Sequence, residues 1–281
     1  MVTEFDEVLG DYTEQPLDVR PGSVVVAGSG KENFKTFNVS TAAGILAAAA
    51  GTPVVKGISR SVSAVSGAAD VLDVLGIRAV ERTEAIPEML DRFGIAFVSY
   101  HLFCPRYAAR YDGVFDALNP ASFFMPVATI CVRASGYVLG LAHRRVALSA
   151  EALRMIRPDL TTGVVASSEL SPGEMIDESC AAGTRRLARV ADGIVTYGIN
   201  RGVEPARSWR QAVAHRPTHR GNAALVASAL KPGDDTPVTA MVELNAALVV
   251  GAGGTDIDEA VDRVRHARRS GHAMRLLNSL T

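Results

Sequence analysis

Three cysteines, four lysines and a single tryptophan are all that this 281-residue chain carries of those types. Cys104, Cys131 and Cys180 have no metal-ligand spacing and cannot all pair, which favours a reducing cytoplasm. No uncharged apolar run reaches the length of a membrane span. No basic segment followed by an apolar one opens the chain, so no secretory leader is expected. The formal net charge of −1 removes any general attraction to nucleic acid or acidic membranes. No internal repeat or low-complexity linker is visible. A chain of this length can bury a sizeable core, as one large α/β domain or two smaller ones.

The scarcity of lysine has a pattern. Arginine outnumbers it 25 to four, yet Lys31, Lys35 and Lys56 all fall within residues 28–70. Lysine in such a loop offers a compact, mobile ammonium. The rest of that stretch is equally selective. An apolar run, residues 23–27, predicts a buried strand and leads into a loop containing Gly28-Ser29-Gly30. Asn38-Val39-Ser40-Thr41 then opens an alanine-rich helix, predicted over residues 41–50 and stopped by Gly51 and Pro53. A short strand, residues 53–55, delivers Lys56. A loop rich in small hydroxylated residues follows, with Ser59, Arg60, Ser61, Ser63 and Ser66. Glycines, a helix N-terminus, hydroxyls and a lysine are the parts of phosphate sites.

The remainder reads as alternating strands and helices. Residues 66–75, capped by Ser66 and ended by Gly76, predict a helix, as do residues 86–93, 150–156, 222–230, 237–250 and 256–270. Strands are expected over residues 95–99, 137–142 and 163–166. Val190-Ala191-Asp192-Gly193-Ile194-Val195 carries a hairpin signal. Residues 200–221, rich in Arg, His and Pro, predict a loop. Residues 100–116 are aromatic and basic and predict a helix after Pro105; residues 119–126 predict irregular chain. The expectation is an α/β fold with a mainly parallel central sheet covered on both faces. Residues 1–20 are expected to form an arm or short helix, and residues 21–281 the α/β domain.

Several motifs together resemble the anthranilate phosphoribosyltransferase family. They are Gly28-Ser29-Gly30, Thr36-Phe37-Asn38-Val39-Ser40-Thr41, Lys56, Arg60-Ser61-Val62-Ser63 and Ser66-Gly67-Ala68-Ala69-Asp70, in the family's order and spacing. Looser matches are Asp177-Glu178 and Val242-Glu243-Leu244-Asn245-Ala246-Ala247. The resemblance implies a nucleoside phosphorylase/phosphoribosyltransferase-like domain, phosphoribosyl pyrophosphate as donor and magnesium as cofactor. It implies donor contacts from Gly28, Ser29, Gly30, Lys31, Thr36, Asn38, Val39, Ser40, Thr41, Lys56, Arg60, Ser61, Ser63 and Ala68. It implies metal contacts from Ser40, Asp177 and Glu178. Adjacent carboxylates suit magnesium, which prefers oxygen ligands and keeps waters.

The departures cluster on the acceptor side. The family's Gly-Thr-Gly-Gly-Asp loop is here Gly28-Ser29-Gly30-Lys31-Glu32. Its Lys-His-Gly-Asn-Arg is Lys56-Gly57-Ile58-Ser59-Arg60, and its His-Pro is Cys104-Pro105. The arginine expected for the anthranilate carboxylate aligns near Val114. The donor side is kept and the acceptor side rewritten, which argues for an acceptor other than anthranilate, with Ser59, His101, Cys104 and Tyr107 as candidate acceptor contacts. Lys56 and Glu32 are the candidate catalytic groups, and His101 a further candidate base. The family's N-terminal helical domain, which helps form its dimer, is almost entirely missing. A homodimer or a partner chain is therefore open. Two other readings stay open: a degenerate binding protein of this fold, and a nucleoside phosphorylase-like enzyme.

Overall fold

The structure is a computed structural model that describes residues 16–60, 65–103, 105 and 130–281. Its centre is an eight-stranded sheet. Strand β1 (Leu17–Asp18) stands apart from it, paired in parallel with β5 (Val132–Arg133). The core strands are β2 (Val24–Gly28), β3 (Val54–Ile58), β4 (Ile95–Ser99), β6 (Gly136–Gly140) and β7 (Thr162–Ser171). They run parallel in the order β7-β6-β2-β3-β4. Beyond β7 the sheet turns antiparallel. Strand β9 (Thr184–Ala191) pairs with β7, and β10 (Ile194–Arg201) closes the edge, while the short β8 (Glu174–Ile176) folds back on β7.

Side-chain alternation along the strands divides the interior into two layers. Val24 and Val26 join a core with α1 (Val39–Ala49), α2 (Ala68–Leu75), α6 (His219–Ala229), α7 (Pro237–Ala252), α8 (Ile257–Arg269) and α9 (His272–Ser279). Val25 and Ala27 face the other way, onto α3 (Ala85–Phe93) and α4 (Val146–Ile156). Helix α5 (Arg207–Val213) completes the set among the described residues.

Most elements fall where the sequence predicts them, with three corrections. Helix α2 starts at Ala68, capped by Gly67 rather than Ser66, and Asp70 accepts a hydrogen bond from the Gly67 N–H at 2.8 Å. Residues 200–221 are not simply loop: α5 lies within them, and α6 begins at His219, where Thr218 accepts from the Gly221 N–H. Coverage of the sheet also fails at its edge, because most of β10 is exposed, including Tyr197 and Ile199. The Asp192-Gly193 hairpin forms as expected, both residues taking positive φ (51° and 72°). The helix predicted after Pro105 and the irregular chain of residues 119–126 lie outside the described residues, as do residues 1–15 of the arm.

Candidate active site

The parallel strands all end on one side of the sheet, where ligands of open α/β sheets bind. There β2, β3 and the turn after β8 frame a cleft of about 210 Å³. Its walls include Gly28, Ser29, Gly30, Lys31, Glu32, Thr36, Asn38, Val39, Ser40, Lys56, Ser59, Arg60, Ala68, Asp177 and Glu178, so most of the residues singled out in the sequence meet here. Thr41 lies just behind, fully buried, and its hydroxyl has no partner. His101 sits outside these walls, exposed on the turn Tyr100–Leu102, with its ring 4.5 Å from that of Tyr100. Ser61, Ser63, Cys104 and Tyr107 lie outside the described residues.

The glycine loop is built around a carboxylate. Asp177 Oδ2 accepts from the Gly30 N–H at 3.0 Å and from the Ser29 hydroxyl at 3.2 Å. Glycine is required where Asp177 approaches the strands. A Cβ on Gly28 would stand 2.8 Å from Asp177 Oδ2, and one on Gly140 would stand 2.0 Å from the Asp177 carbonyl oxygen. Gly30 itself takes a positive φ of 62°, which suits glycine.

The turn bearing the paired carboxylates is pinned from two sides. Ser168 on β7 donates its hydroxyl to the Glu178 carbonyl at 2.9 Å and accepts from the Cys180 N–H at 2.9 Å. Asn245 on α7 accepts from the Ser179 N–H at 2.9 Å and donates to its carbonyl at 2.8 Å. The late-helix motif around Asn245 thereby acquires a function: it fixes the Asp177–Glu178 turn.

Charge in the cleft is concentrated and unbalanced. Glu178 Oε1 accepts from the Thr36 hydroxyl at 2.9 Å, while its buried Oε2 has no partner. Burial, then the carboxylates of Asp177 and Glu32, hold Glu178 well above the usual carboxylate range. Burial and Asp177 push Glu32 up to about 7, opposed by Lys35, whose ammonium is 3.3 Å from Glu32 Oε1. Lys56 is 2 % exposed and donates to the Gly57 carbonyl at 2.5 Å. Burial lowers it to about 8, against the pull of Asp177 and Glu178.

Two helix N-termini open into the same cleft. Helix α1 has no side-chain cap and no acidic residue in its first turn, and Asn38 Oδ1 is buried without a partner. An uncapped N-terminus presents a positive dipole end, although the Val39 and Thr41 N–H groups here donate to the Phe37 and Asn38 carbonyls. The start of α2 contributes Ser66, Gly67 and Ala68. Arg60 lines the cleft, but its exposed guanidinium pairs with Asp70 at 3.1 Å and Asp73 at 3.3 Å on α2. Its direct effect is on the loop's attachment. Among the described residues no cluster of three His, Cys, Asp or Glu side chains is arranged to hold a metal without help.

Sequence reasoning missed His215, which lines the cleft, and Asn222, fully buried behind it. The available signal was an asparagine within an apolar, alanine-rich helix face, as in Asn222-Ala223-Ala224 and Asn245-Ala246-Ala247.

Comparison with known proteins places the chain in a family. Residues 21–274 match the family described as "Glycosyl transferase family, a/b domain". The chain belongs to this family. Among its relatives, the anthranilate phosphoribosyltransferase of Pelotomaculum thermopropionicum is 32% identical over 293 residues, covering 99% of this chain and 80% of that protein. That of Novosphingobium aromaticivorans is 31% identical, covering 94% and 79%. The transferase superimposes on the crystal structure of anthranilate phosphoribosyltransferase from Thermus thermophilus with a TM-score of 0.76 at 27% identity, covering 96% of this chain and 80% of that one. The Saccharomyces cerevisiae enzyme, solved in complex with PRPP and Mg, shares the fold at a TM-score of 0.77 and 17% identity, covering 99% and 81%. The transferase is thus an α/β enzyme of the phosphoribosyltransferase type with a mixed sheet. No helix among the described residues is long and apolar enough to cross a membrane.

Proposed function

We propose that the transferase moves a phosphoribosyl group from phosphoribosyl pyrophosphate to a small aromatic or heterocyclic acceptor other than anthranilate, with magnesium as cofactor. One observation carries this reading. Two helix N-termini, a buried lysine and a carboxylate pair held by a glycine loop converge on one cleft. A polyanionic sugar phosphate and its cation complement that set, whereas an apolar ligand would leave the buried Glu178 Oε2 without a partner.

The residues fit magnesium. The unpartnered Glu178 Oε2 and the crowding of Glu32, Asp177 and Glu178 are relieved by a divalent cation, for which Ser40, Asp177 and Glu178 would supply oxygen ligands. When bound, magnesium neutralises charge on the leaving pyrophosphate. The protein's own contribution is positional and electrostatic. The bond from the ribose anomeric carbon to pyrophosphate breaks and a bond to the acceptor nucleophile forms. The α1 N-terminus, through Asn38, Ser40 and Thr41, holds phosphate oxygens with its N–H groups and hydroxyls. The Lys56 ammonium stabilises charge growing on pyrophosphate. The Glu32 carboxylate, its proton affinity raised to about 7, would take the proton that a less nucleophilic acceptor releases.

The acceptor side supports a substrate other than anthranilate. At Gly57, where the family carries histidine, a Cβ would stand 2.7 Å from Ile130 Cδ1. Ile130 is itself 1 % exposed, so it must shift before a larger side chain enters. The acceptor is found by screening aromatic amines, phenols and heterocycles for pyrophosphate release, with anthranilate alongside. Turnover of a compound other than anthranilate is the expected result. Anthranilate as the best substrate would overturn the acceptor assignment. Stabilisation by inorganic phosphate alone would favour a phosphorylase-like enzyme, and donor binding without turnover of any acceptor a binding protein.

A further inference from the structure

His215 belongs to no family motif found in the sequence, yet three segments meet on its ring. Its Nδ1 lies 3.2 Å from the Thr36 carbonyl oxygen, which can only accept. Nδ1 therefore carries the proton, and Nε2 is the acceptor. Nε2 receives the Ser66 N–H at 3.2 Å, with the Asn222 side-chain nitrogen 3.1 Å away and its hydrogens shared with the Arg216 and Thr218 carbonyls. Its backbone N–H donates to the Lys35 carbonyl at 2.9 Å, beside the Thr36–Ala214 bridge. Both ring nitrogens are thus committed, and the imidazole is neutral.

The segments it joins are the two halves of the donor cleft. Thr36 leads into α1 and carries the hydroxyl that Glu178 accepts. Ser66 ends the loop from β3 to α2, whose base closes where the Ala69 N–H donates to the Ser59 carbonyl at 3.2 Å. Ser66 is buried, and its hydroxyl lies 2.7 Å from His219 Nδ1 and 3.3 Å from Asn222 Nδ2. Asn222 is held in turn: its Oδ1 accepts from the Arg216 N–H at 2.8 Å.

We infer that His215 is a positioning residue that sets the Ser66–Ala68 end of the donor loop against the entrance of α1, and so fixes the spacing of the two helix N-termini. Its burial lowers its proton affinity, with Lys35 and His219 opposing a further positive charge, so the ring keeps its acceptor. The placement of the loop is read without any ligand. Only its consequence for phosphoribosyl pyrophosphate rests on the transferase assignment.

The two nitrogens can be removed separately. In His215→Gln the side-chain oxygen reaches the place of Nε2 and keeps an acceptor for Ser66. In His215→Asn the amide keeps a donor toward Thr36 but leaves the Ser66 N–H without an acceptor. Amide hydrogen exchange, read on peptides covering residues 65–69 in the ligand-free full chain, is the direct test, with circular dichroism confirming the fold. About tenfold faster exchange in His215→Asn, with near wild-type exchange in His215→Gln, is the expected result. Equal exchange in wild type and both variants, or equal loss in both, overturns the inference. In turnover assays His215→Asn raises the KM for phosphoribosyl pyrophosphate several-fold with a smaller change in kcat, and His215→Gln restores it. If the wild-type protein binds no phosphoribosyl pyrophosphate, the transferase reading falls while the exchange data still decide the role of His215.

Discussion

At the scale of single residues, the site depends on atoms that touch Asp177. Gly140 has no positive φ and looks replaceable in the sequence, yet a Cβ there meets the Asp177 carbonyl oxygen. Gly140→Ala is expected to cost about 1–3 kcal/mol in denaturant unfolding, and to weaken donor binding by displacing the carboxylate. Lys56→Met keeps most of the buried volume and removes the ammonium. Its folding stability should hold or rise, because burying a charge is costly, while donor affinity falls in calorimetric titration. Glu169 gives a test in acid. The Arg144 side-chain contact holds it down to about 2, aided by the Gly173 N–H and by Arg186 at 2.9 Å, against partial desolvation. A carboxyl depressed in the folded state stabilises above its unfolded value near 4.5 and stops doing so as pH falls toward 2. Arg144 is exposed, so solvent screening keeps that contribution small. Wild type should lose a little stability between those pH values in acid titration, and Glu169→Gln should lose less there.

At the scale of elements, α7 is more than packing. Asn245 is the only polar group it sends to both backbone atoms of Ser179 among the described residues, and the turn it holds carries Asp177 and Glu178, the carboxylates proposed to hold magnesium. Asn245→Leu leaves a buried N–H and a buried carbonyl unpaired, at about 1–3 kcal/mol each. Unfolding measurements should show that loss, and magnesium-dependent donor binding should fall with it. Local chemistry explains which elements could be read from sequence. The Asp192-Gly193 hairpin was legible because those two residues accept the positive φ that its turn needs. Helix α1 was legible through its alanines and its glycine stop. Helix α5 was not, since its composition of Arg, Trp and Gln has no periodic signal; Val213 buried in the core and Trp209 packed against it stabilise it. The cap of α2 was misplaced by one residue because Ser66 is engaged with His219 and Asn222 instead. His215 stayed hidden because its partners Thr36 and Ser66 lie 179 and 149 residues away along the chain.

At the scale of the whole molecule, the sheet explains the site. Parallel strands β2 and β3 bring the glycine loop and Lys56 to one side, and the antiparallel fold-back of β8 returns Asp177 and Glu178 to the same place. No segment alone contains the cleft, which is why its residues were legible as a list but not as a geometry. The central claim is that this assembled cleft takes phosphoribosyl pyrophosphate with magnesium. Calorimetric titration of the transferase with phosphoribosyl pyrophosphate tests it most directly, run with magnesium and again with a chelator. Saturable one-to-one binding that weakens about tenfold or more on chelation, and is lost in Asp177→Ala, is the predicted result. No binding under either condition, or binding indifferent to magnesium and to Asp177, would contradict it.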